Sequence, residues 1–391
     1  MKSLLKIPLL AAVATMMTCS FSACSDNDDP TPDTGTSETD AKFEAIAKQY
    51  LDHTVYVTYK NLADETEQLV KDLQALKSSK TDANVKATCE TFLEARAWWE
   101  KSEAFLYGAA TDFGIDPHID SWPLDLDGLQ TALKNTEQVE AMGGEDGDIY
   151  AGEKLGNSLL GFHGIEYILF EDGSPKSVSK ISDLHLTYAV AGDLRNRCWQ
   201  LELSWRGESA VNADRVAKVA NELELPYTVN SGEYSYGENM LNAGKAGSTY
   251  ASWTLAMQAI IDGCKTIADE VGTSKIGKPY SGEDPAYIES PYSHKSILDF
   301  YDNIISIQNA YMGGIENERD ETNSLHNYIA GVDKELDTKV VNAINNALTK
   351  INAMAAPFVN NIKDPSAGEA IKACQDLDAI LSDVKTALRN N

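Results

Sequence analysis

Residues 43–76 read FEAIAKQYLDHTVYVTYKNLADETEQLVKDLQAL. The apolar residues of this stretch recur at every third or fourth position: Phe43, Ile46, Ala47, Tyr50, Leu51, Val55, Tyr59, Leu62, Leu69, Leu73 and Leu76. This spacing predicts a long amphipathic helix, because residues three and four apart share one face of an α-helix. The same spacing recurs in 85–107, 155–170, 184–205, 250–271, 297–312 and from 340 to the end. Alternating runs bounded by hairpin turns are nearly absent, so the predicted fold class is all-α.

Glycine-rich breaks divide this helical pattern into two parts. The break around Gly207 lies close to the middle of residues 24–391. It predicts two helical-bundle-like halves, residues 40–206 and 207–391. Each half contains a helix that ends in a similar aromatic and glycine sequence, at 105–108 and 310–314, which is an indication of duplication.

The first residues predict export and lipid anchoring. Residues 1–23 combine a lysine-containing start, a short apolar run and small residues, the pattern of a secretory signal peptide. The apolar run is too short to span a bilayer as a helix. Ser22-Ala23-Cys24 resembles the lipobox of bacterial lipoproteins, in which the cysteine carries the lipid, and Cys19 is a second candidate. We therefore expect the chain to be attached to a membrane through a lipid on Cys24.

An acidic tether follows this cysteine. Residues 24–39 contain two prolines and several acids but no aromatic residue, so they cannot bury a core and should be solvated. An acidic run directly after a lipid-bearing cysteine resembles the surface-export signal of Bacteroidetes lipoproteins. A plain periplasmic spacer is the alternative. The expected location is therefore the outer membrane, with the chain on its periplasmic side or at the cell surface.

Charge and cysteine content exclude several functions. The 391 residues include 60 Asp plus Glu against 33 Lys plus Arg, a formal net charge of −27. Such a chain repels a polyanion, which excludes nucleic acid as a partner. Beyond Cys24 the cysteines are far apart: Cys89, Cys198, Cys264 and Cys374. This spacing argues against sulfur-based zinc or redox chemistry and predicts buried free thiols, with one long-range disulfide as the alternative.

The first candidate site is the sequence GFHGIE at residues 161–166. On a helix, His163 and Glu166 project from the same face because they are three residues apart. Gly161 and Gly164 each weaken a helix by about 1 kcal/mol relative to alanine. We therefore expect a compensating close approach of another backbone or of a ligand. The alternative for His163 and Glu166 is a satisfied buried pair without further function.

A second candidate lies in residues 96–105, which read RAWWEKSEAF. Arg96, Glu100 and Glu103 form one stripe on a helix, which is ordinarily a solvated face with a modest ion pair. The aromatic neighbours indicate partial burial here, and a buried carboxylate needs a cation. Either Arg96 or a metal ion could provide that charge.

Two further segments carry polar groups. Residues 114–125 form an acid-rich loop that contains Asp120 and Trp122. Such loops usually cap helices, but they also provide oxygen ligands for hard cations. Residues 290–296 precede a helix, where Ser293 is an N-cap candidate and His294 could instead line a shared cleft.

Together, in this order, these segments resemble the motifs of the imelysin family, also called imelysin-like peptidases. Residues 161–166 fit the family's GxHxxE signature, 96–105 and 120–125 fit its first-half motifs, and Ser293-His294 fits its second-half motif. The resemblance covers nearly all of the chain after residue 40. It implies an all-helical fold of two bundle-like halves, with the GxHxxE residues at or near their interface.

The resemblance also implies a metal site. The family includes iron-regulated exported proteins, a protein described as an insulin-cleaving protease, and relatives in periplasmic iron uptake. The positions that match the metal-gathering residues of the iron-uptake relatives are Glu100, Glu103, Asp120, His163 and Glu166. Asp116 and Asp125 are alternatives to Asp120. Arg96, Trp122, Ser293 and His294 are expected to contact the bound metal complex as cofactor-binding residues.

These residues leave three hypotheses for function. One imidazole with several carboxylates suits iron, manganese or zinc. The first hypothesis is a lipid-anchored envelope protein of iron acquisition that binds a metal ion or small metal complex, alongside other iron-uptake proteins. The second is a metallopeptidase in which Glu166 is the catalytic residue, a ligand or a base. The third is that the polar cluster only holds the two halves together.

Overall fold

The computed structural model describes residues 37–390. The predicted signal peptide, Cys24 and most of the predicted tether lie outside these residues, so they stay predictions. The helices up to residue 206 are α1 (Glu38–Tyr50), α2 (Tyr56–Ser78), α3 (Asp82–Glu100), α4 (Ala109–Asp112), α5 (Asp116–Ile119), α6 (Leu126–Lys134), α7 (Thr136–Gly143), α8 (Gly147–Lys154), α9 (Gly161–Leu169) and α10 (Ile181–Arg206). The later helices are α11 (Ala213–Val216), α12 (Tyr236–Leu241), α13 (Trp253–Glu270), α14 (Gly277–Ser281), α15 (Ser296–Met312), α16 (Leu325–Val332), α17 (Lys334–Asn352) and α18 (Pro365–Asn390).

Short turns of other helical types extend these elements. The π-helical turns are Leu51–Val55, Ala217–Glu222 and Val271–Lys275, and the 3-10 turns are Glu103–Phe105, Asn157–Leu159, Glu208–Ala210, Val229–Ser231, Glu321–Asn323 and Phe358–Asn360. The strands described are β1 (Phe170–Glu171) and β2 (Ser174–Pro175), which pair antiparallel with Phe170 opposite Pro175. The prediction of an all-α fold is therefore confirmed.

The pattern at residues 43–76 forms a continuous helix from Glu38 to Ser78, with the π-helical turn between α1 and α2. It begins two residues earlier than the expected start of the first half, because the Ser37 side chain accepts a hydrogen bond from the Asp40 backbone N–H at 3.0 Å. The apolar face, from Phe43 to Leu76, is buried as predicted. Tertiary packing of this face stabilises a helix of this length.

Helix α10 lies at the centre of the first half. It packs against α2, α7, α8 and α9, and most of its residues are buried. A helix that is buried on most of its faces carries buried residues beyond a single apolar stripe, so the apolar spacing at 184–205 predicts the helix but not the extent of its burial. In the second half, α17 packs against α18 and α18 against α13. The second half is therefore also built from helices packed against one another.

Contacts between distant parts of the chain place the candidate site. Helix α3 packs against α9 and α15, and the 3-10 turn Glu103–Phe105 packs against α13 and α15. Helix α10 ends at Arg206, followed by Gly207 at a φ of 75°. The division of the chain into halves at 206 and 207 stays a prediction.

The structure tests the prediction of free cysteines and shows whether any described helix could span a membrane. The four cysteines predicted as free thiols, Cys89, Cys198, Cys264 and Cys374, are free and buried. Burial raises the pKa of the Cys89 thiol to about 12, so it is an unreactive apolar side chain. Within residues 37–390, no helix has the length and apolar character that crossing a membrane requires.

Candidate functional site

The end of α3 brings a guanidinium and a carboxylate into the protein interior. Arg96 and Glu100 are one turn apart and only 2% and 0% exposed, and Nη2 of Arg96 lies 2.5 Å from Oε1 of Glu100. The Arg96 guanidinium also lies over the Phe162 ring, 5.3 Å from its centroid. Burial of this stripe was expected from its aromatic neighbours. Arg96 is the cation that neutralises Glu100, one of the two possibilities predicted.

Asp120 is the point where the first-half motifs meet. It follows α5, and its carboxylate accepts hydrogen bonds from Nη1 of Arg96 and, at 2.8 Å, from Nε1 of Trp99. Its Oδ1 also lies 2.8 Å from Nε2 of His163. These two histidine and aspartate atoms are close but not aligned as a hydrogen bond, so the Nε2 atom of His163 is buried without an aligned partner.

Gly161 explains why this loop reaches α9. Its φ is 68°, and a Cβ atom there would lie 1.9 Å from the carbonyl oxygen of Ile119. Only glycine allows the two backbones to come this close. The close approach of another backbone, which the glycine predicted, is thus confirmed. It sets Asp120 beside His163.

Glu166 joins the first half to the segment before α15. Its Oε1 accepts hydrogen bonds from the backbone N–H and the hydroxyl of Ser293, both at 2.7 Å, and from the backbone N–H of Tyr292 at 3.2 Å. Its Oε2 is buried and has no hydrogen-bond partner. Trp122 covers the same region, since its ring centroid lies 4.5 Å from that of His163, and its indole Nε1 is also buried without a partner.

The sequence suggested Ser293 as a candidate N-cap of the following helix, but Ser293 does not cap it. Helix α15 begins at Ser296 after Lys295, which makes no side-chain capping hydrogen bond. The Ser293 hydroxyl donates to Glu166 instead. His294 is half-buried and packs against Gly173 in the β-hairpin rather than against His163.

A lysine that the sequence did not single out pairs with Glu103, Glu289 and Glu100. Lys275 is 2% exposed, and its Nζ lies 3.2 Å from Glu289, 3.4 Å from Glu103 and 3.8 Å from Glu100. Asn303 on α15 donates to Oε2 of Glu100 at 2.5 Å. Asp299 on the same helix lies 3.9 Å from Nε of Arg96 and accepts from the Ser290 hydroxyl.

We call this set the charge cluster and define it by its ionisable members: Arg96, Glu100, Glu103, Asp120, His163, Glu166, Lys275, Glu289 and Asp299. It contains six carboxyl groups and two permanently charged cations, and each of these side chains is at most 9% exposed. Such an excess of buried acid is unfavourable unless protons or another cation compensate it. Because of this excess of acid, the cluster should favour cations over anions as ligands.

Burial and neighbouring charges set different pKa values within the cluster. Burial raises the pKa of Glu100 and of Glu103 well above the ordinary value, because Arg96 and Lys275 offset it only in part. It also raises the pKa of Asp299 to about 7. Burial opposes ionisation of Asp120 too, but Arg96 and His163 outweigh it and hold the pKa of Asp120 well below its usual range. Asp120 therefore stays ionised.

The predicted metal ligands are linked but do not surround one point. Glu100 and Asp120 are connected through Arg96, and Glu103 is held by Lys275. Within residues 37–390, no three His, Cys, Asp or Glu side chains converge as a metal ion requires. The donor set nevertheless suits a hard or borderline cation, and the unpartnered atoms of His163 and Glu166 are available to it. Metal binding by these residues stays a prediction.

Outside the cluster, Asp302 on α15 predicts a pH-dependent stability. Burial raises the pKa of Asp302 to about 6, and Lys101, 3.6 Å away, offsets this only in part. The unfolded chain releases this proton near pH ~4 and the folded chain only near pH ~6. Stability should therefore fall as the pH rises between these values, by on the order of 2 kcal/mol from this group. In Asp302→Asn, unfolding by urea across this range should show a smaller fall than in wild type.

The control for this prediction is Asp376→Asn, which removes an exposed carboxylate paired with Lys372. This variant should keep the wild-type dependence of unfolding free energy on pH. An equal dependence in wild type and Asp302→Asn would contradict the prediction.

Comparison with known proteins identifies the family. The family model described as imelysin matches residues 55–384. Iron-regulated protein A of Synechococcus elongatus is 26% identical over 335 residues, which cover 85% of this chain and 82% of the relative. The crystal structure of an iron-regulated protein A precursor from Parabacteroides distasonis has a TM-score of 0.75 and 27% identity, and the match covers 91% of this chain and 97% of that one.

A more distant structure shares the fold alone. An imelysin-like protein from Psychrobacter arcticum is 11% identical, with a TM-score of 0.59 and coverage of 89% of this chain and 95% of that one. The match over residues 55–384 confirms the resemblance that the four motifs predicted. The chain belongs to the imelysin family.

Proposed function

We propose that this imelysin-family chain is a cell-envelope lipoprotein of iron acquisition that binds a metal ion or small metal complex at the charge cluster. The names of the relatives, iron-regulated protein A and its precursor, support the connection with iron. The lipobox-like Ser22-Ala23-Cys24 supports attachment to the outer membrane through lipid. Other iron-uptake proteins are its expected partners.

One observation carries the proposal. On α9, Nε2 of His163 and Oε2 of Glu166 are both buried, and neither has an aligned hydrogen-bond partner. They project from one helix face because they are three residues apart. Buried polar atoms without aligned partners are unfavourable by about 1–3 kcal/mol each, so a cation that contacted both atoms would be favoured.

The charge balance supports a cation as that ligand. The cluster has four more carboxyl groups than permanently charged cations. The raised pKa values of Glu100, Glu103 and Asp299 mean that protons compensate part of this excess, and a bound metal ion would compensate more of it. An imidazole with carboxylates suits iron or zinc. In this proposal His163 and Glu166 bind the metal, whereas Asp120 and Glu100 remain paired with Arg96, and Glu103 with Lys275.

Peptide hydrolysis is the other function proposed for this family. A hydrolytic metal needs an open coordination position and access for a polypeptide substrate. His163 and Glu166 are each only 1% exposed, which favours binding of a small ligand over cleavage of a chain. Chelator-sensitive cleavage of an unfolded protein, lost in Glu166→Gln, would instead support the peptidase.

We expect the wild-type protein to bind about one equivalent of ferric or zinc ion. A cation could contact Nε2 of His163 and Oε2 of Glu166, and the surrounding carboxyl groups would favour its positive charge. His163→Ala and Glu166→Gln should each weaken this binding at least about tenfold, as loss of a ligand does. The measurement is isothermal titration calorimetry on chelator-treated protein. Element analysis of protein purified from its own envelope provides an independent check.

The matched control is His118→Ala. His118 is also in the first half but contacts Asp193, at 3.3 Å, rather than the charge cluster. It should bind metal as wild type does. Equal binding by wild type, His163→Ala and Glu166→Gln would refute the proposal. A lower melting temperature in these two variants, without any metal binding by wild type, would support a purely structural cluster.

A further inference from the structure

A cleft of about 440 Å³ lies where α6, the end of α9 and the start of α10 meet. The residues that line it are Gln130, Leu133, Lys134, Tyr167, Ile168, Lys176, Lys180, Ser182 and Asp183. We call it the lysine cleft. None of the members of the charge cluster lines it, so it is a separate feature of the molecule.

The charge of the lysine cleft is opposite to that of the whole chain. It combines Lys134, Lys176 and Lys180 with a single carboxylate, Asp183, in a protein with a formal net charge of −27. Among the described residues, these three lysines form no ion pair with an acid, although most lysines of the protein do. The nearby acids Glu171 and Asp183 offset part of this positive charge, and a bound anion would further reduce the repulsion between the lysines.

Of the three lysines, Lys176 has its ammonium group held in place by the contacts that the structure shows. Its Nζ donates a hydrogen bond to the Tyr167 carbonyl and lies over the Tyr167 ring, 4.7 Å from the centroid. Both contacts hold the ammonium group at the cleft. Burial lowers the pKa of Lys176, the nearby acids Glu171 and Asp183 offset this in part, and the charge of Lys180 adds a smaller lowering.

The start of α10 adds uncharged donors. Lys180 is the N-cap of this 26-residue helix and makes no side-chain capping hydrogen bond. As in any α-helix, the first backbone N–H groups of α10 have no intrahelical partner, and the helix dipole favours an anion beside them. The Ser182 hydroxyl donates to Asp183 at 3.1 Å, which partly occupies the one carboxylate of the cleft.

We propose that the lysine cleft binds a small organic anion that carries two or more carboxylate groups. The three ammonium groups and the start of α10 would bind the carboxylates, and Leu133, Tyr167 and Ile168 would contact the carbon skeleton. Charge-assisted hydrogen bonds of this kind are about twice as strong as neutral ones. The site is independent of the metal proposal, since it uses other residues.

Citrate is the probe for this proposal. We expect chelator-treated protein to bind about one equivalent of citrate in a calorimetric titration, with affinity that falls as salt rises. Lys134→Gln/Lys180→Gln should bind at least about tenfold more weakly, because two ion contacts are lost. Both lysines are exposed, so the variant should keep the wild-type melting temperature.

The control is Lys42→Gln/Lys86→Gln, which removes two exposed lysines from surface ion pairs. It should bind citrate as wild type does, and so should His163→Ala, which separates this site from the charge cluster. Absence of saturable citrate binding, or equal weakening in both double variants, would overturn the proposal. Inorganic phosphate that binds as tightly as citrate would also overturn it, because the site would then recognise a simple anion.

Discussion

Replacement of Arg96 by alanine is expected to lower the free energy of unfolding by about 3–5 kcal/mol. Arg96 is 2% exposed and contacts three carboxylates, Glu100, Asp120 and Asp299. Without the guanidinium, Asp120 and Asp299 would lose the permanent cation beside them, and Glu100 would keep only Lys275, 3.8 Å away. Chemical denaturation followed by circular dichroism would measure the loss. Arg96→Met, which keeps most of the side-chain volume, separates the effect of charge from that of a cavity.

Arg206→Ala is the matched control for this substitution. Arg206 also pairs with a glutamate four residues away, Glu202, but it is 20% exposed. Partly exposed pairs contribute about 1 kcal/mol or less, so this variant should change stability far less. Similar losses for Arg96→Ala, Arg96→Met and Arg206→Ala would show that the charge cluster does not depend on its guanidinium.

The second large effect is expected from Gly161→Ala. The positive φ of Gly161 would strain alanine by about 1–2 kcal/mol, and its Cβ would overlap the Ile119 carbonyl oxygen. Relief of that overlap requires the backbone before Asp120 to move, which removes Asp120 from His163 and Arg96. We expect a total loss of about 3 kcal/mol or more, together with weaker metal binding if the proposed site exists.

Gly114→Ala measures the cost of the positive φ alone, without a steric overlap. Gly114 has a φ of 60°, but nothing lies within 4 Å of the position of its Cβ. Its substitution should cost only the strain of the left-handed conformation, about 1–2 kcal/mol. The difference between the two variants therefore measures the close approach of α9 to Ile119. Equal losses would mean that this approach is readily relaxed.

The sequence predicted those features that depend on local pattern. The long helix from Glu38 to Ser78 follows from its apolar spacing, and the need for a close contact at Gly161 follows from a glycine within a helical motif. Burial of Arg96 and Glu100 follows from the aromatic residues around them. In each case the information lies within a few turns of one helix.

Other parts of the site depend on tertiary contacts that no local pattern reveals. Lys275 lies just after the apolar spacing of residues 250–271 ends, so that pattern does not include it. It nevertheless donates a hydrogen bond to Glu103, which is 172 residues earlier. Ser293 looks like a helix cap because serine before a helix usually is one. The approach of Glu166 from the other half of the chain gives its hydroxyl a different acceptor. Paired segments of both halves would have to be considered together to predict these contacts.

The first helix has a consequence for the order of folding. Gln49 donates a hydrogen bond to the Gly313 carbonyl at 2.7 Å, and Thr54 donates to the Asn309 carbonyl at 3.2 Å, across 264 and 255 residues of chain. Closing a loop of this length carries a large entropic cost before its contacts form. Proteins with such non-local contacts fold slowly. The helix from Glu38 to Ser78 therefore cannot complete these two contacts until the chain has been synthesised as far as Gly313.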